Sequence, residues 1–249
     1  MPEPICLNPK EAFHVHTWRC GHTSDEREEV YIKTAIKLGA EQITFTDHAP
    51  FPGNQFQGRM KMEQLAEYEE TLWELKEKYQ GKIKIRIGLE IEYLPGFQAY
   101  YEQLKRDDKI EFLMLGQHFY ELEPGVYSFA KKEWKQQADR FIQAEIDGIK
   151  SGYFSCVAHP DRGYRYLPYG TYPDEGLAKE LIAVAKDFHI PLEKNIGSMA
   201  AKCFYPSVFW CYHEQDYLLG LDAHSIYDLR KRYQYSEFLN GNVAKFAGF

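Results

Sequence analysis

Two apolar periods alternate along this chain from end to end. Short apolar runs read as strands at Ala12–His16, Ile43–Thr46, Ile83–Tyr93, Phe112–Leu115, Phe154–Ala158, Ile190–Glu193 and Leu218–Leu221. Between them lie stripes at helical spacing. The first is Tyr31, Ala35 and Leu38, ended by Gly39, and the second is Leu65, Tyr68, Leu72, Leu75 and Tyr79. A short stripe follows at Phe97, Tyr100, Tyr101 and Leu104, then a long one at Trp134, Ala138, Phe141, Ile142, Glu145 and Ile149. The helix starting at Asp174 carries Leu177, Leu181, Val184 and Phe188, and a final one uses Ile226, Leu229 and Tyr233. Thr23 with Glu26 has the form of a capping box for the first helix, and Pro206 suits the first turn of another.

Strands alternating with helices imply a parallel sheet, and units of such even length favour a closed barrel. An open doubly wound sheet is the alternative, because periodicity does not register closure. No linker or low-complexity segment interrupts the pattern, so residues 1–249 read as one domain.

The chemistry falls at the strand ends. His14 and His16 share a strand face, with His22 in the loop beyond. The second strand closes on Asp47 and His48, and the third carries Glu90. His118, His159 and Asn195 end the next three, and Asp222 and His224 the last. One rim histidine is as easily a structural residue as a ligand. Here seven of the nine histidines gather at the same end of successive units, and only His189 and His213 do not. In a barrel those ends form one rim, where barrel enzymes place their chemistry. With Glu90 and Asp222 the set offers nine donors, whereas one zinc takes about four. Two or three divalent cations, bridged by Glu90 or Asp222, use it economically. Imidazole with carboxylate suits Zn, Mn or Fe. Such a cluster activates water and clamps a phosphoryl group.

Composition narrows the partners. A net charge of −7 argues against the basic face that nucleic acid needs, and 16% aromatic residues supply side chains for a pocket as well as a core. Five cysteines (Cys6, Cys20, Cys156, Cys203, Cys211) without C-x-x-C spacing read as reduced thiols of a cytoplasmic protein. The N-terminal stretch has no apolar targeting region, and no run approaches the ~18 apolar residues that span a bilayer.

The set HVH…H, DHAP, GLEIEY, LGQHF, AHPDR and GLDAHS resembles the PHP (polymerase and histidinol phosphatase) family, over about Ala12 to Ser225. DHAPF, GLEIEY and HTWRCGH are most similar to its histidinol-phosphatase branch. The resemblance implies an α/β fold, a distorted (β/α)7 barrel of the PHP type, with a trinuclear metal site. In that pattern His14, His16, Glu90 and Asp222 hold one cation, His118 and His159 a second with Glu90 as bridge, and His22, His48 and His224 a third. It also implies a metal-dependent phosphomonoesterase with a small phosphorylated substrate, L-histidinol phosphate first. The alternatives are another small phosphomonoester, a nucleotide, or a nucleic-acid phosphodiester. A silent metal-binding module is a further rival, which the full ligand set opposes.

Members of this branch carry an arginine after a strand-six Glu-x-Asn motif. Here Glu193 to Lys202 contains none, so Lys202, with Lys194 as the weaker alternative, stands in as a point charge. Arg162 and Arg165, in the loop after His159, are placed to reach a phosphate. The proton for the leaving alkoxide comes from a metal-held water or from Asp47 or Asp161. Glu92, on the face of Glu90, is a candidate supporting partner, and Cys20 reads as packing near the site.

Overall fold

The structure, a computed structural model, describes residues 5, 8–130, 134–167, 175–205, 217–242 and 248. The strands are β1 (Glu11–Val15), β2 (Gln42–His48), β3 (Lys84–Ile91), β4 (Phe112–Leu115), β5 (Glu121–Glu123), β6 (Val126–Tyr127), β7 (Cys156–Val157), β8 (Leu192–Asn195) and β9 (Tyr217–Gly220). The helices are α1 (Glu28–Leu38), α2 (Met62–Lys78), α3 (Gln98–Lys105), α4 (Trp134–Ser151), α5 (Glu175–Asp187), α6 (Ile196–Ala200) and α7 (Ile226–Leu239).

Seven strands form one sheet in the order β1-β2-β3-β4-β7-β8-β9, every pair parallel. The sheet closes on itself. Backbone bonds from His16 N to Ala223 O (2.9 Å), Leu221 N to Phe13 O (2.8 Å) and Ala223 N to His14 O (3.1 Å) join the first strand to the segment after the last. The barrel reading holds, and the open-sheet alternative falls.

Alternation along the strands divides the barrel into layers. Ile43 and Phe45 on β2, and Ile85, Ile87, Leu89 and Ile91 on β3, join the outer core beneath the helices. The opposite face of the same strands lies inside. At its lower end Thr44 donates to Glu11, with Arg86 Nη1 3.9 Å from that carboxylate. Above this sit Phe13, Phe112 and Met114, with Gly88 leaving room for the Phe112 ring, which a Cβ would meet at 2.5 Å. At the top are His48 and Glu90.

Local details depart from the sequence expectation. Thr23 does not cap α1: its hydroxyl donates to Thr17 O at 2.7 Å, and the helix begins at Glu28 behind Arg27. Gly39 does end α1, at φ 86°. β8 runs on through Asn195, which pairs with Gly220, and β7 keeps only Cys156–Val157. The β5–β6 hairpin, turned at Gly125 (φ 78°), has too few apolar positions to announce itself. Pro206, Cys6, Cys211 and His213 lie outside the described residues, where Cys20, Cys156 and Cys203 are free thiols. No described helix is long and apolar enough to cross a membrane.

Candidate metal centre

β1 does not run straight into the site. Its pairing with β2 slips by one residue between Ala12 and Val15, and His14 takes φ 67°. His159 (φ 26°) and Asp222 (φ 50°) share the left-handed region, which non-glycine residues avoid. Strain of this kind collects where a fold aims side chains for chemistry, and here three of the nine candidate ligands carry it.

The bends converge on Glu90, a fully buried carboxylate. Its Oε2 lies 3.2 Å from His14 Nε2, 3.4 Å from His16 Nε2 and 3.1 Å from His48 Nδ1. Its Oε1 lies 2.8 Å from His159 Nε2 and 3.6 Å from His118 Nε2. Asp222 Oδ1 closes the first group, 3.8 Å from His14 Nε2 and 3.6 Å from His16 Nε2. His22, His48 and His224 form another set whose donor atoms fall within 4.8 Å of one another. His48 also groups with Glu90 and His118, so it stands between two sets where the family pattern assigns it to one. All nine predicted donors are thus brought together. Gly116 makes this possible, because a Cβ there would fall on the Glu90 carboxylate.

A second layer aims these rings. Glu193 Oε1 sits 2.6 Å from His14 Nδ1, while its Oε2 accepts from His159 N (2.7 Å) and Asn195 Nδ2 (2.9 Å). His22 Nδ1 and His224 Nδ1 meet the carbonyls of Cys20 and Asp222 at 3.0 and 3.1 Å. His118 Nδ1 meets Glu92 Oε1 at 3.0 Å, and Arg59 grips Glu92 through both nitrogens at 2.8 and 2.9 Å. In His14, His22, His118 and His224 one ring nitrogen is spent on an orienting partner and the other is left for a cation. Glu92 therefore takes the supporting role expected of it. Glu193 and Arg59 were missed: Glu193 could have been found from its two-residue spacing to Asn195, but Arg59 looks like any loop arginine.

Electrostatics suit cation binding. Burial alone would raise the Glu90 pKa, but His48, His14 and His118 outweigh it and hold the carboxyl well below its usual range. Burial and then His224 and His48 push His16 well down, and burial lowers His48 and His159. Burial, with Arg162 next, lowers His118 to about 4. Neutral imidazole is the form that ligates. His14 runs the other way, raised because Glu193 and Glu90 outweigh its burial. The donor set fits divalent-metal binding by a further mark. Among the described residues His16 Nε2 and Glu90 Oε1 are buried with no hydrogen-bond partner, His159 standing close to Oε1 but off a bonding line. Buried lone pairs without a donor are costly, and a cation held there would satisfy them.

The cluster floors a cavity of about 800 Å³. Arg162, Arg165 and Arg232 line it together with Phe56, Phe119 and Phe129. Arg165 donates to Ser198 Oγ. Three predicted residues are not on its wall. Lys202, just past the end of α6, is exposed at φ 57°. Asp47 is buried, accepting from Thr17 N (2.5 Å) and Thr17 Oγ1, and burial raises it to about 7. Asp161 is buried beneath the rim, bonded to Tyr205 N at 3.1 Å and raised by burial to about 6. Cys20 packs where expected, with Sγ 3.6 Å from His16 Nδ1 and 3.3 Å from His48 N.

Fold and site together define a seven-stranded α/β barrel with a histidine- and carboxylate-lined rim. The PHP domain profile matches residues 12–195, and the chain belongs to the PHP family. It is 28% identical over 158 residues to a Deinococcus radiodurans protein bearing a histidinol-phosphatase name, covering 59% of each chain. It is 36% identical over 95 residues to the histidinol-phosphatase of Bacillus subtilis, covering 36% of this chain and 35% of that one. The matches thus span less than two thirds of those relatives. The histidinol phosphate phosphatase of Lactococcus lactis, solved with zinc, L-histidinol and phosphate, has the same fold. Its TM-score is 0.68 at 20% identity, over 97% of both chains.

Proposed function

We propose that this protein is a cytoplasmic, metal-dependent phosphomonoesterase that hydrolyses L-histidinol phosphate to L-histidinol and phosphate. The observation that carries the reading is the clustering of seven imidazoles with Glu90 and Asp222 at the floor of an arginine-lined cavity. His14, His16, Glu90 and Asp222 would hold one divalent cation, Glu90 with His118 and His159 a second, and His22, His48 and His224 a third, from among Zn, Mn and Fe. When bound, such cations supply Lewis acidity toward a phosphoryl oxygen and lower the pKa of water. The chain's own residues do the rest. Glu193 and the Arg59–Glu92 pair fix ring orientation, so the donors need no rearrangement during turnover. Arg162 and Arg165 bind the phosphate oxygens. Phe56, Phe119 and Phe129 offer an apolar wall to the imidazole of the leaving group. Asp47 and Asp161, off the cavity wall, are poorly placed to protonate the leaving alkoxide.

The decisive experiment is a phosphate-release screen of metal-loaded protein over phosphomonoesters and phosphodiesters, histidinol phosphate included. Preferred release from histidinol phosphate is expected, and faster turnover of a diester or nucleotide would overturn the assignment. A charge-assisted hydrogen bond to a partly desolvated phosphate is worth about 1.5–3 kcal/mol. Arg162→Ala is therefore expected to lower kcat/KM about 10- to 150-fold. Lys202→Ala, removing an exposed and hydrated ammonium, should stay within about twofold. The reverse ranking in steady-state kinetics would move the phosphate to the β8 side.

A further inference from the structure

Among the described residues, the wall between β8 and β9 is short of positive charge from its own segment. Lys194 Nζ stacks over the Tyr217 ring at 3.9 Å, and Lys202 is exposed away from the cavity. Positive charge arrives there from a different element. Arg232, on α7, crosses to the rim and lines the cavity beside Asp222 and His224. Its side chain is 17% exposed and tightly fixed. Nη1 donates to Leu221 O at 3.0 Å and to Asp222 O, and Nη2 pairs with Asp228 Oδ1 at 2.9 Å. A guanidinium carries five N–H donors, which these three acceptors do not exhaust.

Space for it is provided by α6. A Cβ on Gly197 would stand 2.9 Å from Arg232 Nη1 and from Asn195 Oδ1, and 3.1 Å from Asp222 Oδ2. Any larger residue at 197 would push the guanidinium off its position. We infer that Arg232 is a further anion-binding residue of this cavity, giving a donor to a phosphate oxygen from α7. The inference rests on the phosphatase reading of the site. Its guanidinium is held in place before the ligand arrives, so little side-chain entropy is lost on binding. Asp228 tempers the charge without covering it, since that carboxylate also accepts from Ser225 Oγ and His224 N.

The test uses metal-loaded protein and inorganic phosphate as the probe. Phosphate affinity is measured by calorimetry, alongside KM, kcat, metal content and the thermal midpoint. Arg232→Gln is expected to weaken phosphate binding and raise KM about 10- to 100-fold, with kcat and metal content nearly unchanged. Gly197→Ala, which keeps the arginine but displaces it, should shift phosphate affinity in the same direction. Arg232→Lys should recover part of the loss, because the charge returns without the fork. Unchanged phosphate affinity in Arg232→Gln with a lowered midpoint would make Arg232 a purely structural tie and overturn the inference. Loss of metal and kcat at constant phosphate affinity would do the same, assigning it to the Asp222 loop. If Arg232→Gln does not fold, normal phosphate binding by Gly197→Ala overturns it. Wild-type protein that binds phosphate but releases none from any phosphomonoester defeats the phosphatase reading and leaves Arg232 an anion-binding residue.

Discussion

Replacing Glu90 with glutamine is expected to lower phosphatase turnover by at least ~10²-fold and to strip cations from a protein whose parent form is expected to hold more than one transition-metal equivalent per chain. The carboxylate is fully buried and its two oxygens divide five imidazoles between them, His14, His16 and His48 on one and His118 and His159 on the other. The amide keeps the shape and loses the charge, and it places an NH2 group where a lone pair faced a ring nitrogen. Both candidate sites that share Glu90 are damaged at once, so the loss should exceed that of any single histidine change. Elemental analysis and steady-state kinetics on the same preparation check it. Near wild-type turnover with undiminished metal would remove Glu90 from the centre of the site, and one equivalent or none in the parent would end the polynuclear reading.

Gly220→Ala is expected to destabilise the fold by about 3 kcal/mol or more. The position carries no side-chain chemistry of its own. Yet the added methyl would fall on the carboxylate of Glu193, which pairs with His14 and accepts from His159 N and Asn195 Nδ2. Glu193 is itself fully buried and has no water-facing position to retreat to. Either the strand pair β8–β9 separates or three hydrogen bonds to a buried charge are broken. Denaturant unfolding of the two proteins gives the difference directly. Gly96→Ala is the control, since a Cβ there meets nothing within 4 Å. A Gly220→Ala protein within about 0.5 kcal/mol of its parent would refute the close approach of Gly220 to Glu193.

The barrel and the donor set were legible because each leaves a local mark. A parallel strand buried on both faces is a continuous apolar run, and a ligand at its end is a histidine or acid at a repeated place in the unit. What supports the donors leaves no such mark. Arg59 reaches Glu92 across a loop, and Arg232 returns to the rim from α7; both contacts exist only after the chain has closed on itself. Glu193 sits in a strand whose period the sequence shows, but its partners are residues 14 and 159. Spacing along the chain likewise does not reveal that Lys202 is exposed and off the cavity wall. The Thr23 capping box failed through competition, its hydroxyl being taken by the Thr17 carbonyl.

The seam that closes the barrel rests on three backbone hydrogen bonds, whereas β2 and β3 pair along seven residues. Donors from both sides of that seam meet at one point: His14 and His16 precede it, and Asp222 and His224 follow it. A growing chain can assemble Glu90, His118 and His159 while its last strand is still being made, but the first and third cation sets stay incomplete until that strand docks. Were cations held by those two sets, their capture would coincide with topological closure, and they would act as a clasp between the earliest and latest parts of the fold. The long sequence separation makes that event slow, so scarcity of cation would prolong the life of an open barrel whose first and last strands expose unpaired edges.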